Sequence, residues 1–282
     1  MGERLLVVGL GFTGTAVARA AVAAGWGVTV ASRSGVVVPE GVRLVGFEEA
    51  DVAGASHVLA TAPPGEGGDP VLARHGEALR RSAGLRWCGY LSTTGVYGDR
   101  GGGWVDETTP VAPGSERAVR RVAAERAWAV LAGRAAVDLF RCAGIYGPGR
   151  SALDEVAAGR ARRVIRPGHA FGRVHRDDIA GAVVVAAGQG RGPGVRVLHM
   201  ADDVPAEPAA VVAEAARLLG VALPPAVAFE AAAMSPMAAS FWVENRRVAS
   251  ARTQAMLGRR WTYPSYREGL RAIFEQELHG PA

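Results

Sequence analysis

Arg4-Leu5-Leu6-Val7-Val8-Gly9-Leu10-Gly11-Phe12-Thr13-Gly14 opens the chain with an apolar run that flows into three glycines at Gly-x-Gly-x-x-Gly spacing. Thr13–Ala24 then carries Ala and Val at helical spacing and stops at Gly25, and Gly27–Ala31 is a second apolar run. A strand, a glycine loop opening a helix, and a second strand within about 30 residues form the context in which this spacing signals dinucleotide binding. Gly9 permits the tight turn, Gly11 lets backbone approach a pyrophosphate, and Gly14 lets the helix pack against the strand. The amides of Phe12, Thr13 and Gly14 are then expected to face phosphates at the positive end of the helix.

The second strand ends Ala31-Ser32-Arg33-Ser34. Folds that bind NAD usually place Asp or Glu here for the ribose hydroxyls. No carboxylate is present, and Arg33 between Ser32 and Ser34 suits a 2′-phosphate through charge-assisted hydrogen bonds. The expectation is NADP(H) in preference to NAD(H); the alternative is that Arg33 caps a surface turn.

Strand-like and helical runs continue to alternate along the chain. Val42–Val45, Val58–Thr61, Arg86–Ser92 and Ala136–Cys142 read as strands, and Asp69–Ala83 and Ser115–Leu131 as helices. Such alternation predicts an α/β fold, a doubly wound parallel sheet of Rossmann type with a smaller C-terminal substrate lobe. After Gly149 come a helix at Asp177–Ala187, a strand at Val195–His199, and helices at Pro208–Leu219 and Tyr266–Glu277. Residues 1–150, joined by 170–200, are assigned to the nucleotide-binding domain, and 151–169 with 201–282 to the lobe.

The 282 residues are 49% hydrophobic, which suffices for a large core. The net charge of +5 comes from basic residues that alternate with acids on the expected helices, and no nucleic-acid module accompanies it. Neither nucleic acid nor membrane is an expected partner, and no apolar run reaches the roughly 20 residues of a membrane helix. The N-terminus enters a strand directly, which points to the cytoplasm. Cys88 and Cys142 lie in apolar runs and read as buried free thiols, with no metal-ligand spacing. Trp87 and Trp104 read as packing residues. The chain contains no lysine, so no mechanism that needs one is open to it.

Several further segments, in order, resemble the extended short-chain dehydrogenases/reductases. They are Leu91-Ser92-Thr93-Thr94-Gly95-Val96-Tyr97-Gly98-Asp99, Arg141-Cys142-Ala143-Gly144-Ile145-Tyr146-Gly147-Pro148-Gly149, Val174-His175-Arg176-Asp177-Asp178 and Tyr263-Pro264-Ser265-Tyr266-Arg267-Glu268-Gly269-Leu270. The resemblance implies a domain that binds NAD(P) and a C-terminal lobe that chooses a small-molecule substrate, in a monomer or a homodimer. It places the substrate-binding hydroxyl on Thr93, with Ser92 beside it. Thr61, Ala62 and Pro63 fall where the family lines the cofactor's ribose, and the turn at Ile145 falls by the nicotinamide.

The departure from the family lies in the Ser115–Leu131 helix. Counting back from Ala124-Glu125 puts Arg117 at the family's catalytic tyrosine and Arg121 at its lysine. Arg121 retains a positive charge for the ribose hydroxyls. Arg117 donates hydrogen bonds but does not cycle a proton near neutral pH. The pattern resembles atypical family members of the epimerase/dehydratase type that lack the usual pair. Tyr97 follows the strand-end hydroxyls and is a replacement acid candidate; the family usually has it without catalytic use. Arg117, Arg141, Arg150 and Arg173 fall in segments that line the family's substrate cleft and would suit an anionic carbonyl or hydroxyl compound. Two functions stay open: an NADP-dependent oxidoreductase or epimerase-like enzyme, and a non-catalytic NADP sensor or scaffold.

Overall fold

The computed structural model describes residues 3–33, 35 and 37–279; Ser34, expected beside a 2′-phosphate, lies outside them. The chain begins β1 (Arg4–Val8), α1 (Phe12–Ala23), β2 (Gly27–Ser32), β3 (Val42–Gly46), β4 (His57–Ala60), α2 (Pro70–Arg81) and β5 (Trp87–Thr93). It continues with β6 (Trp104–Val105), α3 (Glu116–Ala129), β7 (Ala136–Cys142), β8 (Gly144–Tyr146), α4 (Ala152–Ala157), β9 (Arg163–Ile165) and β10 (Arg173–His175). It ends with α5 (Arg176–Gly188), β11 (Gly194–Met200), α6 (Pro208–Leu219), β12 (Ala226–Ala228), α7 (Pro236–Ser240), β13 (Arg247–Val248), α8 (Ala251–Leu257) and α9 (Tyr266–His279).

The chain divides into two compact units. The first takes Met1–Val96, Ser115–Arg141 and Arg176–Leu198. Its sheet runs β11-β7-β5-β4-β1-β2-β3, and the pairs β1–β2, β2–β3, β1–β4 and β4–β5 are all parallel. Strand order reverses at β1, which has β2 on one side and β4 on the other; this is the Rossmann arrangement, with helices flanking the sheet. β4 and β7 are buried at every position and β5 at all but its last, so these strands are mostly apolar rather than alternating, with Asp138 and Arg141 as buried charges in β7. The helices begin where local chemistry meets their free amides. Asp69 accepts from the amides of Val71 and Leu72 ahead of Pro70, and Ser115 accepts from that of Ala118.

The second unit takes Tyr97–Gly114, Cys142–His175 and His199–Ala282. The sequence reading had assigned 97–114, 142–150, 170–175 and 199–200 to the nucleotide-binding domain. Those stretches make their pairings within the second unit: β6 with β13, β8 with β10, and Tyr97 with His199. Two- and three-residue strands are too short to show a period, which is why β6, β8, β9, β10 and β13 escaped it. The unit has its own apolar core, including Leu153, Ala215, Tyr266, Leu270 and Ile273. Trp87 is buried as expected, whereas Trp104 is 57% exposed at the start of β6. Neither cysteine is in a disulfide, and both are buried. No described helix is long and apolar enough to cross a membrane.

Candidate functional site

Strand register brings the expected cofactor residues to one edge of the first unit's sheet. Val8 pairs with Ala31 on one side and with Ala60 on the other, so Gly9, Ser32 and Thr61 leave neighbouring strands side by side. Gly9 has φ 105°, a backbone that L side chains rarely adopt. A Cβ on Gly14 would lie 2.4 Å from the Gly9 carbonyl oxygen, so the helix approaches the strand as closely as glycine allows. A Cβ on Gly11 would meet nothing within 4 Å, so the space before α1 is open. Gly11 is the N-cap of α1, no side chain caps the helix, and the first turn carries no acid. A positive helix end that no side chain caps and no acid neutralises fits a dinucleotide's phosphates.

The Thr61 hydroxyl donates to the Gly9 carbonyl at 2.9 Å and lies 3.3 Å from that of Val8, which fixes the glycine turn. Ala62 and Pro63 follow Thr61. Arg33 is exposed just beyond β2, and no ion pair or hydrogen bond ties its guanidinium among the described residues.

β5 carries the next two candidates to the same edge. The Thr93 hydroxyl accepts from the Gly95 amide at 3.1 Å, which leaves its own proton to give. Ser92, one residue earlier, points to the opposite face and donates to Glu125 Oε1 at 2.5 Å. Glu125 in turn holds Arg141, whose Nε and Nη2 lie 3.1 and 2.7 Å from the two carboxylate oxygens. All three are buried. Ser92 and Arg141 therefore leave the set of substrate-facing candidates: the charge of Arg141 is spent on Glu125, and Ser92 completes that buried network.

Arg121 keeps a position near the strand end. Its Nη1 donates to the Leu91 carbonyl at 2.8 Å and to Tyr90 Oη at 3.0 Å. Burial pushes the Tyr90 phenol up to about 12, with Arg121 opposing the shift. Arg117 is exposed one turn before Arg121 on α3. Beside the loop, Arg176 at the start of α5 stands over the ring of Phe12, 4.7 Å from its centroid.

Tyr97 and Ile145 belong to the second unit. Tyr97 is fully buried, its hydroxyl 2.5 Å from His199 Nε2 and 3.2 Å from the Asp106 carbonyl. His199 Nδ1 is 2.7 Å from the Ala249 carbonyl, so that nitrogen bears the proton and Nε2 accepts from the phenol. Tyr97 is a packing residue with a satisfied hydroxyl, not a free acid. Ile145 pairs with Val174 where β8 meets β10. The same unit holds a cavity of about 590 Å³ lined by Arg150, Arg160, Arg162 and Arg173 among Tyr146, Tyr266, Leu270 and other apolar groups. Two acids also line it, and both are engaged: Asp154 accepts from Ser151, and Glu155 takes Arg160 through two nitrogens. No described group of His, Cys, Asp and Glu could hold a metal ion.

A protein of unknown function from Silicibacter pomeroyi DSS matches 98% of this chain over 99% of its own, at 41% identity and a TM-score of 0.87. The chain belongs to that protein's family. The family has the extended short-chain dehydrogenase/reductase fold. MoeE5 in complex with UDP-glucuronic acid and NAD shares it at 21% identity and a TM-score of 0.77, with 99% of each chain covered. A UDP-glucuronic acid 4-epimerase from Bacillus cereus in complex with NAD shares it at 14% identity and a TM-score of 0.74, covering 98% of this chain and 99% of its own. No protein-family model and no curated protein matches the chain.

Within this reductase fold, Glu125, Tyr90 and Arg176 are the site neighbours that sequence reasoning passed over. Glu125 left a trace. Asp138 and Arg141 are charges inside the fully buried β7, so each required a partner, and Glu125 lies four residues after Arg121 on the same face of α3. Nothing in local sequence links Arg176 to Phe12, because packing of α5 on α1 brings them together.

Proposed function

We propose that the chain is an NADP(H)-dependent oxidoreductase or epimerase/dehydratase-type enzyme that works without a Tyr-x-x-x-Lys pair. The observation that carries this reading is the start of α1, which no side chain caps, with the exposed Arg33 just beyond the neighbouring strand β2. The first suits a pyrophosphate, and the second suits a 2′-phosphate where an acid would repel one. When bound, NADPH supplies the hydride. The chain's own contribution is orientation: Thr93 gives a hydrogen bond to the substrate oxygen, and the proton comes from solvent. Arg121 sets a positive field at the end of β5 that favours developing oxyanion charge, the part of the lysine's role a guanidinium can fill.

The substrate is a small carbonyl or hydroxyl compound with an anionic group. The arginine-lined cavity of the second unit supports this, since Arg162 and Arg173 line it while its two acids bond Ser151 and Arg160. Arg173 is half-buried, and withdrawal from water lowers its pKa, so an anion there would relieve a partly desolvated charge.

A second reading, a non-catalytic NADP sensor or scaffold, draws on Tyr97 and Arg121. The hydroxyl of Tyr97 is already satisfied by His199, and one nitrogen of Arg121 is occupied by Tyr90 and Leu91. NADPH absorbance followed over a panel of small ketones, aldehydes and imines separates the two. Turnover that Thr93→Ala abolishes, with NADPH affinity unchanged, supports the enzyme. Tight NADPH binding without turnover on any compound supports the sensor.

A further inference from the structure

A second cavity of the second unit, of about 290 Å³, is lined by Asp99, Arg166, His169 and Asn245 among others. It shares no lining residue with the arginine-lined cavity. His169 is 3% exposed, and its ring is held in place by stacking on Trp242 at 5.2 Å and by meeting Phe171 edge-on at 4.9 Å. Burial and the charge of Arg166 keep the imidazole below its ordinary pKa, against the pull of Asp99 and of a hydrogen bond to the Phe241 backbone. It is therefore neutral at neutral pH and has one N–H to give. Nε2 has no partner, so the proton is on Nδ1, toward Phe241, and Nε2 is a bare acceptor.

Asn245 supplies a second such acceptor. Its side-chain nitrogen donates to the Gly168 carbonyl at 3.1 Å, which sets how the amide faces and leaves Oδ1, also shielded from solvent, without a partner. Asp99 supplies a charged one: the Asn245 and Gly101 amides donate to its Oδ1 at 2.8 and 3.2 Å and hold its carboxyl below the usual range. A carboxylate has about four acceptor sites, and those two amides take two of them. Arg166 is the one arginine of the lining; its guanidinium stands 4.5 Å over the Phe229 ring, and Nη1 donates to the Trp242 carbonyl. Acceptors withdrawn from water without a donor weaken a fold, so a ligand that brings donors would be stabilised here. Three acceptors match the three N–H groups of a primary ammonium, and a guanidinium matches a carboxylate. We propose that this cavity binds a small zwitterion, its ammonium on Asp99, Asn245 and His169 and its carboxylate on Arg166. No residue of the glycine loop enters the proposal, which is independent of the dinucleotide reading.

Calorimetric titration of the whole chain with glycine, β-alanine and 4-aminobutanoate, which differ in the spacing of their charges, tests it against ethylamine and propanoate. At least one zwitterion should bind saturably, about tenfold or more tighter than either single-charge compound. Asp99→Asn keeps Oδ1 for both amides and removes the charge, and Arg166→Gln keeps a donor for the Trp242 carbonyl. Each should weaken the best zwitterion by about tenfold and leave the melting temperature and NADPH affinity unchanged. In wild type, the ¹⁵N resonance of His169 Nε2 should move on saturation, because that nitrogen gains a hydrogen bond. Absence of saturable binding by all three zwitterions overturns the proposal, as does ethylamine or propanoate binding as tightly as the best of them. An unmoved His169 Nε2 resonance at saturation, or unchanged affinity in both variants, also overturns it by placing the ligand elsewhere.

Discussion

Arg33 sits where a single side chain decides between two cofactors that differ by one phosphate. The guanidinium is exposed, so its charge costs little to maintain, and no described acid competes for it. A charge-assisted hydrogen bond to a 2′-phosphate is worth about 1.5–3 kcal/mol. Arg33→Ala should therefore weaken NADPH by about tenfold or more and leave NADH within about twofold, as measured by titration of each cofactor. Equal losses for the two cofactors would remove the 2′-phosphate assignment. Thr93 and Ser92 make a contrast: adjacent hydroxyls on one strand face opposite sides, and only the Ser92 hydroxyl is consumed by Glu125.

Among elements, α1 is the most tightly specified. Gly14 is helical, so alanine there gains about 1 kcal/mol in helix propensity. The added methyl would lie 2.4 Å from the Gly9 carbonyl oxygen, which is backbone anchored in turn by the Thr61 hydroxyl. Overpacking against such a neighbour costs about 1–3 kcal/mol, so the clash outweighs the propensity gain. Gly14→Ala should lower the melting temperature and weaken NADPH and NADH together. A variant of unchanged stability and affinity would show that the helix does not dock on the turn as described. This element was legible from the sequence because the glycine spacing, the apolar run and the helical period agree over residues 4–31. β4, β5 and β7 were legible because burial on both faces leaves them predominantly apolar, even with Asp138 and Arg141 inside β7. The short strands of the second unit were not, since two or three residues carry no period. The Ser92–Glu125–Arg141 network was legible only as a requirement: a buried arginine in β7 needs an acid, but which acid depends on the face of α3 that turns toward β5.

At the scale of the whole molecule, the described residues include two apolar cores that hold it together. One is built around β1, β4, β5 and β7 with Trp128 and Leu131, and the other joins α4, α6 and α9. The second unit also carries a titration that the sequence did not announce. Asp202 is 2% exposed, and neither of its carboxylate oxygens has a hydrogen-bond partner. Burial pushes its carboxyl up to about 8, with the positive charge of Arg173 opposing the shift. The folded chain therefore holds this proton more tightly than the unfolded chain, whose aspartate keeps an ordinary value near 3.8. The proton's contribution to stability is complete below the unfolded pKa. It declines as pH rises, because the unfolded state gives up the proton first, and it is gone above about 8. Within that window each pH unit costs up to about 1.4 kcal/mol. Asp202→Asn keeps the shape and cannot ionise, so the variant should lose less stability than wild type between pH 5 and pH 8 and overtake it at the alkaline end. Urea unfolding at several pH values measures both slopes. Parallel slopes for the two proteins would mean that Asp202 ionises in the folded chain as readily as in water, and that Arg173 has a charged partner after all.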